Sequence, residues 1–255
     1  MDALIGYSGF VGTTLLKQRH FDALYRSTNI EEIVGKEFDT VVCAGAPAQK
    51  WLANKDPVDD LQKINGLITK LKTITCRNFI LISTVDVFQN PVNVDESTLV
   101  ETEGLHAYGL HRYYLEQFVS THFPNSLIVR LPGLVGPGLK KNIIYDFLHK
   151  NNIAQIESRG VFQFYPMINL WFDIETAQRH KLSLLHLTAA PISVADIAKH
   201  GFGFEFSNHI QDKPGSYNMK SQHSNLFTNE SDYQYNRRES LLAIRAYAQS
   251  ETGSY

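Results

Sequence analysis

The sequence predicts an α/β fold, a doubly wound parallel sheet followed by a small C-terminal α/β lobe. Three observations predict it. Strand-like and helix-like segments alternate through the first half of the 255 residues. Residues 78–84 (NFILIST) are apolar at successive positions, as in a parallel strand covered by helices on both faces. Gly6, Gly9 and Gly12 stand where the first strand gives way to the first helix, at the end of the sheet where such folds bind ligands.

The elements follow in order. Residues 3–6 (ALIG) are a short apolar strand, and 10–18 (FVGTTLLKQ) have helical spacing. Residues 23–25 and 39–45 (DTVVCAG) read as the second and third strands. In 56–74, Val58, Leu61, Ile64, Ile68 and Leu71 form the stripe of a surface helix. Residues 107–123 are the next helix and 126–133 the next strand. After Gly138, KKNIIYDFLHK opens the lobe as a helix, a strand and helix follow over 161–180, and 182–187 is strand-like. Ser193 fits as the cap of a further helix. The first domain is expected over 1–138 and a reduced lobe over 139–255, part of 182–204 returning to the main sheet.

Composition narrows the function classes. With 43% hydrophobic and 20% charged residues the chain has the balance of a globular protein. A net charge of -2 gives no reason to expect a nucleic-acid or anionic-membrane partner. No apolar run approaches the roughly 20 residues of a spanning helix. A strand beginning at residue 2 leads to an expectation of no signal peptide. Cys43 and Cys76 lie in or beside apolar stretches, as buried reduced thiols of a cytoplasmic protein do. His106, His111 and His122 lack chelating spacing, so no metal is expected.

The residues after each strand carry the chemistry. In GYSGFVG, the three glycines permit a tight turn, and Ser8, Phe10 and Val11 place helix N-terminal N–H groups beside a pyrophosphate. The spacing is G-x-x-G-x-x-G, not the G-x-G-x-x-G of many dehydrogenases. The second strand ends in Tyr25-Arg26-Ser27, with no acid for a ribose; Asp22 lies before the strand. Arg26 with Ser27 suits a 2′-phosphate, which favours NADP, with NAD as second choice. The alternative is a solvated Arg26.

Further on, Ser83 and Thr84 close a strand, AYGLHR supplies Tyr108 and Arg112, and VRLPGLVGPGLKKN carries Pro132, Gly133, Gly136, Pro137 and Asn142. With GYSGFVG and the helix bearing Asn65, this order and spacing resembles the extended short-chain dehydrogenase/reductases. That family includes nucleotide-sugar epimerases, dehydratases and ketoreductases. The resemblance covers residues 2–142 clearly and 160–204 faintly. It implies a Rossmann-like dinucleotide-binding domain in which Tyr108 is the general acid/base and Thr84 hydrogen-bonds the same substrate oxygen. The cation four residues on would face the cofactor ribose with Tyr108. Ala44, Gly45, Ala46 and Ser83 would line the dinucleotide, and Pro132, Gly133 and Leu134 would back the nicotinamide. Lys140 and Asn142 would touch the phosphates of a small-molecule nucleotide-sugar substrate, with Asp86 accessory. A homodimer through the 107–123 helix is implied as well. Each role has a plainer alternative: Thr84 caps a strand, Lys140 and Lys141 are solvated, Asn142 caps a helix, and Phe162, Phe164, Tyr165 and Trp171 fill core.

Two departures qualify the resemblance. The family's lysine is Arg112 here. A cation about 5 Å from a tyrosine at an effective dielectric of about 20 favours the tyrosinate by at most roughly 3 kcal/mol, about two pKa units. Arginine carries that charge, but its planar fork does not replace a compact ammonium at a tight site. The acid pair that family dehydratases place after the threonine is Val85-Asp86, and Val85 has no proton to give, which disfavours dehydration. Two readings stand. One is an NAD(P)-dependent oxidoreductase or epimerase acting on a hydroxyl/carbonyl group of a nucleotide sugar or related metabolite. The other is a dinucleotide-binding protein with little turnover, a redox sensor or assembly partner.

Overall fold

Four strands, β1 (Asp2–Ile5), β2 (Ala23–Tyr25), β3 (Glu37–Cys43) and β4 (Thr75–Thr84), begin a six-stranded sheet. From one edge the order is β2, β1, β3, β4, Ser126–Leu131, Leu184–His186. β1 pairs in parallel with β2 and with β3, and β3 with β4. The chain winds outward from β1 to β2, then returns across β1 to β3, so the winding reverses between β1 and β3. Ala3 and Leu4, Val41 to Cys43, and Phe79 are wholly buried, as expected of strands covered on both faces.

This is a computed structural model that describes residues 1–210, 212–228 and 232–251. It divides into two units, the first made of Met1–Gln89, Thr98–Arg130 and Trp171–Leu185. The second is made of Asn90–Ser97, Leu131–Leu170 and the chain from His186.

In the first unit, helices α1 (Phe10–Gln18), α2 (Lys50–Lys55), α3 (Pro57–Leu71) and α4 (Ala107–His122) cover the sheet. α2 was not foreseen in the sequence. α3 starts where Asp56 accepts a hydrogen bond from the Asp59 N–H (3.1 Å) and Pro57 takes the first turn, which needs no N–H. Its buried residues are Asp60, Ile64 and Leu71; Val58, assigned to the apolar stripe, is exposed. Behind β4, Phe79 stacks on Phe123 with centroids 4.2 Å apart. Trp171 meets Phe21 edge-on and lies under the Arg19 guanidinium, 4.2 Å from the ring centroid. Arg130 and Glu116 form a buried ion pair (2.6 Å), to which the Ser83 hydroxyl donates.

The expected 126–133 strand divides. Ser126–Leu131 joins the main sheet, while Gly133–Val135 pairs in parallel with Phe164–Pro166 in the second unit. A Cβ at Gly133 would stand 2.6 Å from the Gln163 carbonyl, so glycine permits this approach. Gln163 is buried at its centre: its Oε1 accepts from the Met219 N–H (2.7 Å), and its Nε2 reaches Thr188 Oγ1 and the Ala189 carbonyl, both at 2.7 Å. Tyr165 is wholly buried, edge-on to Tyr235, and Phe164 is nearly so. Ser193 caps the helical turn Val194–Asp196 as expected, and a π-helical segment, Ile197–Phe202, continues it. The unit ends in a helix, Arg237–Ser250, opened by a reciprocal Asn236/Glu239 cap. Among the described residues no helix is long and apolar enough to cross a membrane, and no group of His, Cys, Asp and Glu could hold a metal ion.

Candidate active site

The glycine turn closes β1 onto α1. Gly6 has φ +86°, and a Cβ there would stand 2.3 Å from the Ala44 carbonyl oxygen. A Cβ at Gly12 would stand 2.1 Å from the Gly6 oxygen. These two glycines let the loops after β1 and β3 and the start of α1 pack backbone to backbone. Gly9 differs: the nearest atom to an added Cβ is the Gly6 oxygen at 3.5 Å, so the protein itself leaves the space open. Gly9 is the exposed N-cap of α1 and supplies no side-chain cap. The N–H groups of Phe10, Val11 and Gly12 therefore lack intrahelical acceptors and stand at the positive end of the helix dipole. Open space over uncapped N–H groups fits a pyrophosphate. Gly12→Ala is expected to cost about 1–3 kcal/mol of overpacking and to abolish NADPH binding. Gly9→Ala should melt like the wild type yet bind NADPH more weakly. Thermal unfolding and nicotinamide-fluorescence titration check both.

At the end of β2, Asn29 accepts from the Arg26 N–H (2.7 Å) and donates to the Leu24 carbonyl (3.0 Å), shaping the turn. The exposed Arg26 side chain donates to Thr28 (2.9 Å) and lies 5.6 Å from the Tyr7 ring centroid, beside the glycine turn; Ser27 is exposed too. Asp22 accepts from the Asp2 N–H (2.6 Å), at the other end of the strands. Ala44, Gly45 and Ala46 form the half-buried loop after β3.

Tyr108 and Thr84 meet because α4 begins directly on the turn that follows β4. A Cβ at Gly109 would stand 2.0 Å from the Asp86 carbonyl oxygen, so only glycine permits that seat. His106 caps α4, its Nδ1 accepting from the Gly109 N–H at 3.0 Å. The Tyr108 N–H donates to Asn54 of α2 (3.0 Å). Thr84 Oγ1 accepts from the Asp86 N–H (3.1 Å), on the turn against which α4 and Tyr108 are seated. Lys50 of α2 pairs with Asp86 at 2.8 Å. Burial, with the Asp86 carboxylate beside it, raises the Tyr108 pKa above its ordinary value of 10; Arg112 and, more weakly, Lys50 and Thr84 oppose the shift without cancelling it. Burial, and then Lys50, lower the His106 pKa, which keeps the ring neutral and its Nδ1 free to cap.

Arg112 takes a place its sequence spacing does not reveal. It lies under the Tyr108 ring, 4.0 Å from the centroid, but only 3% of it is exposed. Its fork grips Asp60 of α3 at 2.5 and 2.8 Å, and it also donates to the carbonyls of Tyr108 (3.2 Å) and Pro47. Its Nε is buried without a partner. His111 shares Asp60 at 2.7 Å. The expected ribose ligand is thus turned into the protein, with its charge opposed by a buried carboxylate. Ser83 is likewise directed inward, to Glu116.

The remaining candidates lie in the second unit. Pro132 is buried, and Gly133 and Leu134 belong to a strand. Asn142 has φ +112° and caps the helix Ile143–His149 through the Ile144 N–H (3.0 Å), while its Nδ2 donates to the Leu134 carbonyl (2.9 Å). Its amide therefore serves the fold, and Lys140 is exposed. Sequence reasoning missed Lys50, Asn54, Asp60 and Gly109. Only Gly109 carried a signal, a glycine in a helix's first turn directly after the tyrosine.

No protein-family model matches the sequence, and no curated protein matches it. Solved structures do. A dTDP-4-dehydrorhamnose reductase from Yersinia enterocolitica superposes with a TM-score of 0.72 at 15% identity, over 97% of this chain and 98% of that one. RMD from Pseudomonas aeruginosa, complexed with NADPH, gives 0.65 at 18% identity, over 98% and 100%. MoeE5, in complex with UDP-glucuronic acid and NAD, gives 0.72 at 13% identity, over 97% and 98%. Likeness over nearly whole chains at such low identity establishes the fold.

Proposed function

We propose that the protein is an NADP-dependent reductase or epimerase of the extended short-chain dehydrogenase/reductase type, acting on a hydroxyl/carbonyl group of a nucleotide sugar or related metabolite. The observation that carries this reading is that Gly109 seats α4, and with it Tyr108, on the Asp86 carbonyl of the turn that Thr84 caps, in the same unit as a glycine-opened helix N-terminus. The likeness to reductases and to proteins solved with NADPH, NAD and UDP-sugars supports it. The nicotinamide supplies or accepts the hydride when bound. The α1 N–H groups hold the pyrophosphate, Thr84 orients the substrate oxygen, and Tyr108 exchanges a proton with it. Arg26 selects the 2′-phosphate of NADP. The same reading places the protein in the cytoplasm, in keeping with its two free cysteines, Cys43 and Cys76. It also assigns α4, which exposes Tyr114, to a homodimer contact.

Titration with NADPH and NADH tests the cofactor, and a panel of dTDP- and UDP-linked ketosugars with NADPH tests the reaction. Arg26→Ala is expected to weaken NADPH binding roughly tenfold or more, the worth of a charge-assisted hydrogen bond, and to leave NADH unchanged. Equal losses for both nucleotides would remove the NADP assignment. A second reading, dinucleotide binding with little turnover, is favoured by the inward-turned Arg112. It predicts NADPH binding with no NADPH consumed on any ketosugar.

A further inference from the structure

We propose that Tyr7 and Thr28 set the preference for NADP, by holding the Arg26 guanidinium in place for the 2′-phosphate. The proposal rests on the reading of Arg26 as the 2′-phosphate ligand.

β1 and β2 end side by side, with Ile5 opposite Tyr25, and the Gly6 N–H donates to the Tyr25 carbonyl at 2.7 Å. The glycine turn and the chain after β2 therefore leave the sheet from neighbouring points, and Tyr7 and Arg26 come together there. The Arg26 backbone is fixed at both of its polar groups. Its N–H donates to Asn29 Oδ1 at 2.7 Å, and its carbonyl accepts from the Asn29 N–H at 3.0 Å. The side chain is held twice more. Nε–H donates to Thr28 Oγ1 at 2.9 Å, which fixes that edge of the guanidinium. The half-buried Tyr7 ring lies 5.6 Å from Cζ, within cation–π range. Thr28, not the adjacent Ser27, provides the hydroxyl.

The holders are a hydroxyl and a ring face, not a carboxylate. Arg19, Arg77, Arg112, Arg130, Arg159 and Arg237 each pair with a carboxylate, which opposes their charge. Among the described residues Arg26 has no such partner, and its Nη1 and Nη2 donate to no protein group. A long side chain is thus restricted without its charge being cancelled. The edge left over is the planar Nη1/Nη2 fork, which fits two oxygens of a phosphate. Ordering that fork beforehand removes a cost that binding would otherwise carry. NADH has no 2′-phosphate and gains nothing from it. Tyr7 and Thr28 act through Arg26, as positioning residues do.

Titration of the full chain with NADPH and with NADH, read as the ratio of the two affinities, tests the proposal. Tyr7→Leu and Thr28→Val should each lower the NADPH-to-NADH ratio about threefold to tenfold. Tyr7→Phe and Thr28→Ser, which keep the ring and the hydroxyl, should leave it near the wild type. With Arg26→Ala already in place, neither Tyr7→Leu nor Thr28→Val should lower the ratio further. A merely structural role would weaken both nucleotides together and leave the ratio unmoved, which would overturn the proposal. A drop in the ratio that persists without Arg26 would overturn it too. Arg26→Ala alone judges the reading beneath. If it lowers the ratio while Tyr7→Leu and Thr28→Val do not, only the proposal falls. If it leaves the ratio unchanged, or if neither nucleotide binds the wild type, both fall.

Discussion

Tyr108→Phe is expected to abolish ketosugar reduction while NADPH binds as before. The substitution removes one hydroxyl and keeps the ring that covers Arg112, 4.0 Å from its guanidinium. The cap at His106, the Asn54 contact to the Tyr108 N–H and the seat of Gly109 are backbone features and survive. On the proposed reading, what is lost is the proton source, worth about a hundredfold to ten-thousandfold for a positioned general acid. The raised pKa of Tyr108 gives the reaction a direction in pH. Burial holds the phenol protonated at neutral pH, which suits donation to a carbonyl oxygen and opposes abstraction from an alcohol. Reduction should therefore run at neutral pH and fail only as alkali ionises Tyr108, whereas the reverse oxidation should quicken toward alkaline pH. Initial rates in both directions, with NADPH affinity measured in parallel, check the result. A Tyr108→Phe protein that still reduces the sugar at the wild-type rate would place the acid elsewhere.

The sequence displayed what is local. The strand, glycine turn and helix at residues 2–18 were legible because apolar spacing and backbone freedom are properties of neighbouring residues. The Tyr–Arg pair was legible as two residues on one face of α4, and they do stack. The direction of the guanidinium was not, because it is set by Asp60, 52 residues away in sequence, on a helix whose polar first turn hid a buried carboxylate. The same blindness put Val58 into the core stripe, where Asp60 is buried instead. The second unit was harder. Its strands Val161–Phe162, Ile192–Ser193 and Asn218–Met219 have two residues each, too few to show any period, and Gln163 joins distant segments through an amide that looks polar in sequence. The Arg237–Ser250 helix did carry a signal, Asn236 with Glu239 three residues on, which is the pattern of a reciprocal cap.

Asp60→Asn is expected to destabilise the first unit by about 3–5 kcal/mol, because it leaves a buried guanidinium without its countercharge. The carboxylate accepts both arms of the Arg112 fork and the His111 ring, and its side chain is only 4% exposed, so water cannot replace it. An asparagine offers one acceptor and sets an NH2 against a donor where the second carboxylate oxygen stood. The melting temperature should fall by roughly 10 °C. A double replacement, Asp60→Leu with Arg112→Met, should recover much of that loss, since apolar groups of similar volume need no countercharge. The acid limb of stability follows from the same contact. Burial pushes the Asp60 pKa up, but the hydrogen bonds from Arg112 and His111 outweigh it, and the net shift is downward from 3.8. A carboxylate with a depressed folded pKa stabilises above its unfolded pKa, and that stability is lost as pH falls through the folded value. The wild type should therefore lose stability steeply on acidification below about pH 4, while Asp60→Asn, with no proton to take up, should show a flatter limb. Denaturant unfolding from neutral to acid pH separates the two. Parallel limbs would mean that the Arg112–Asp60 pair contributes nothing to folding, and the inward turn of Arg112 would then need another cause.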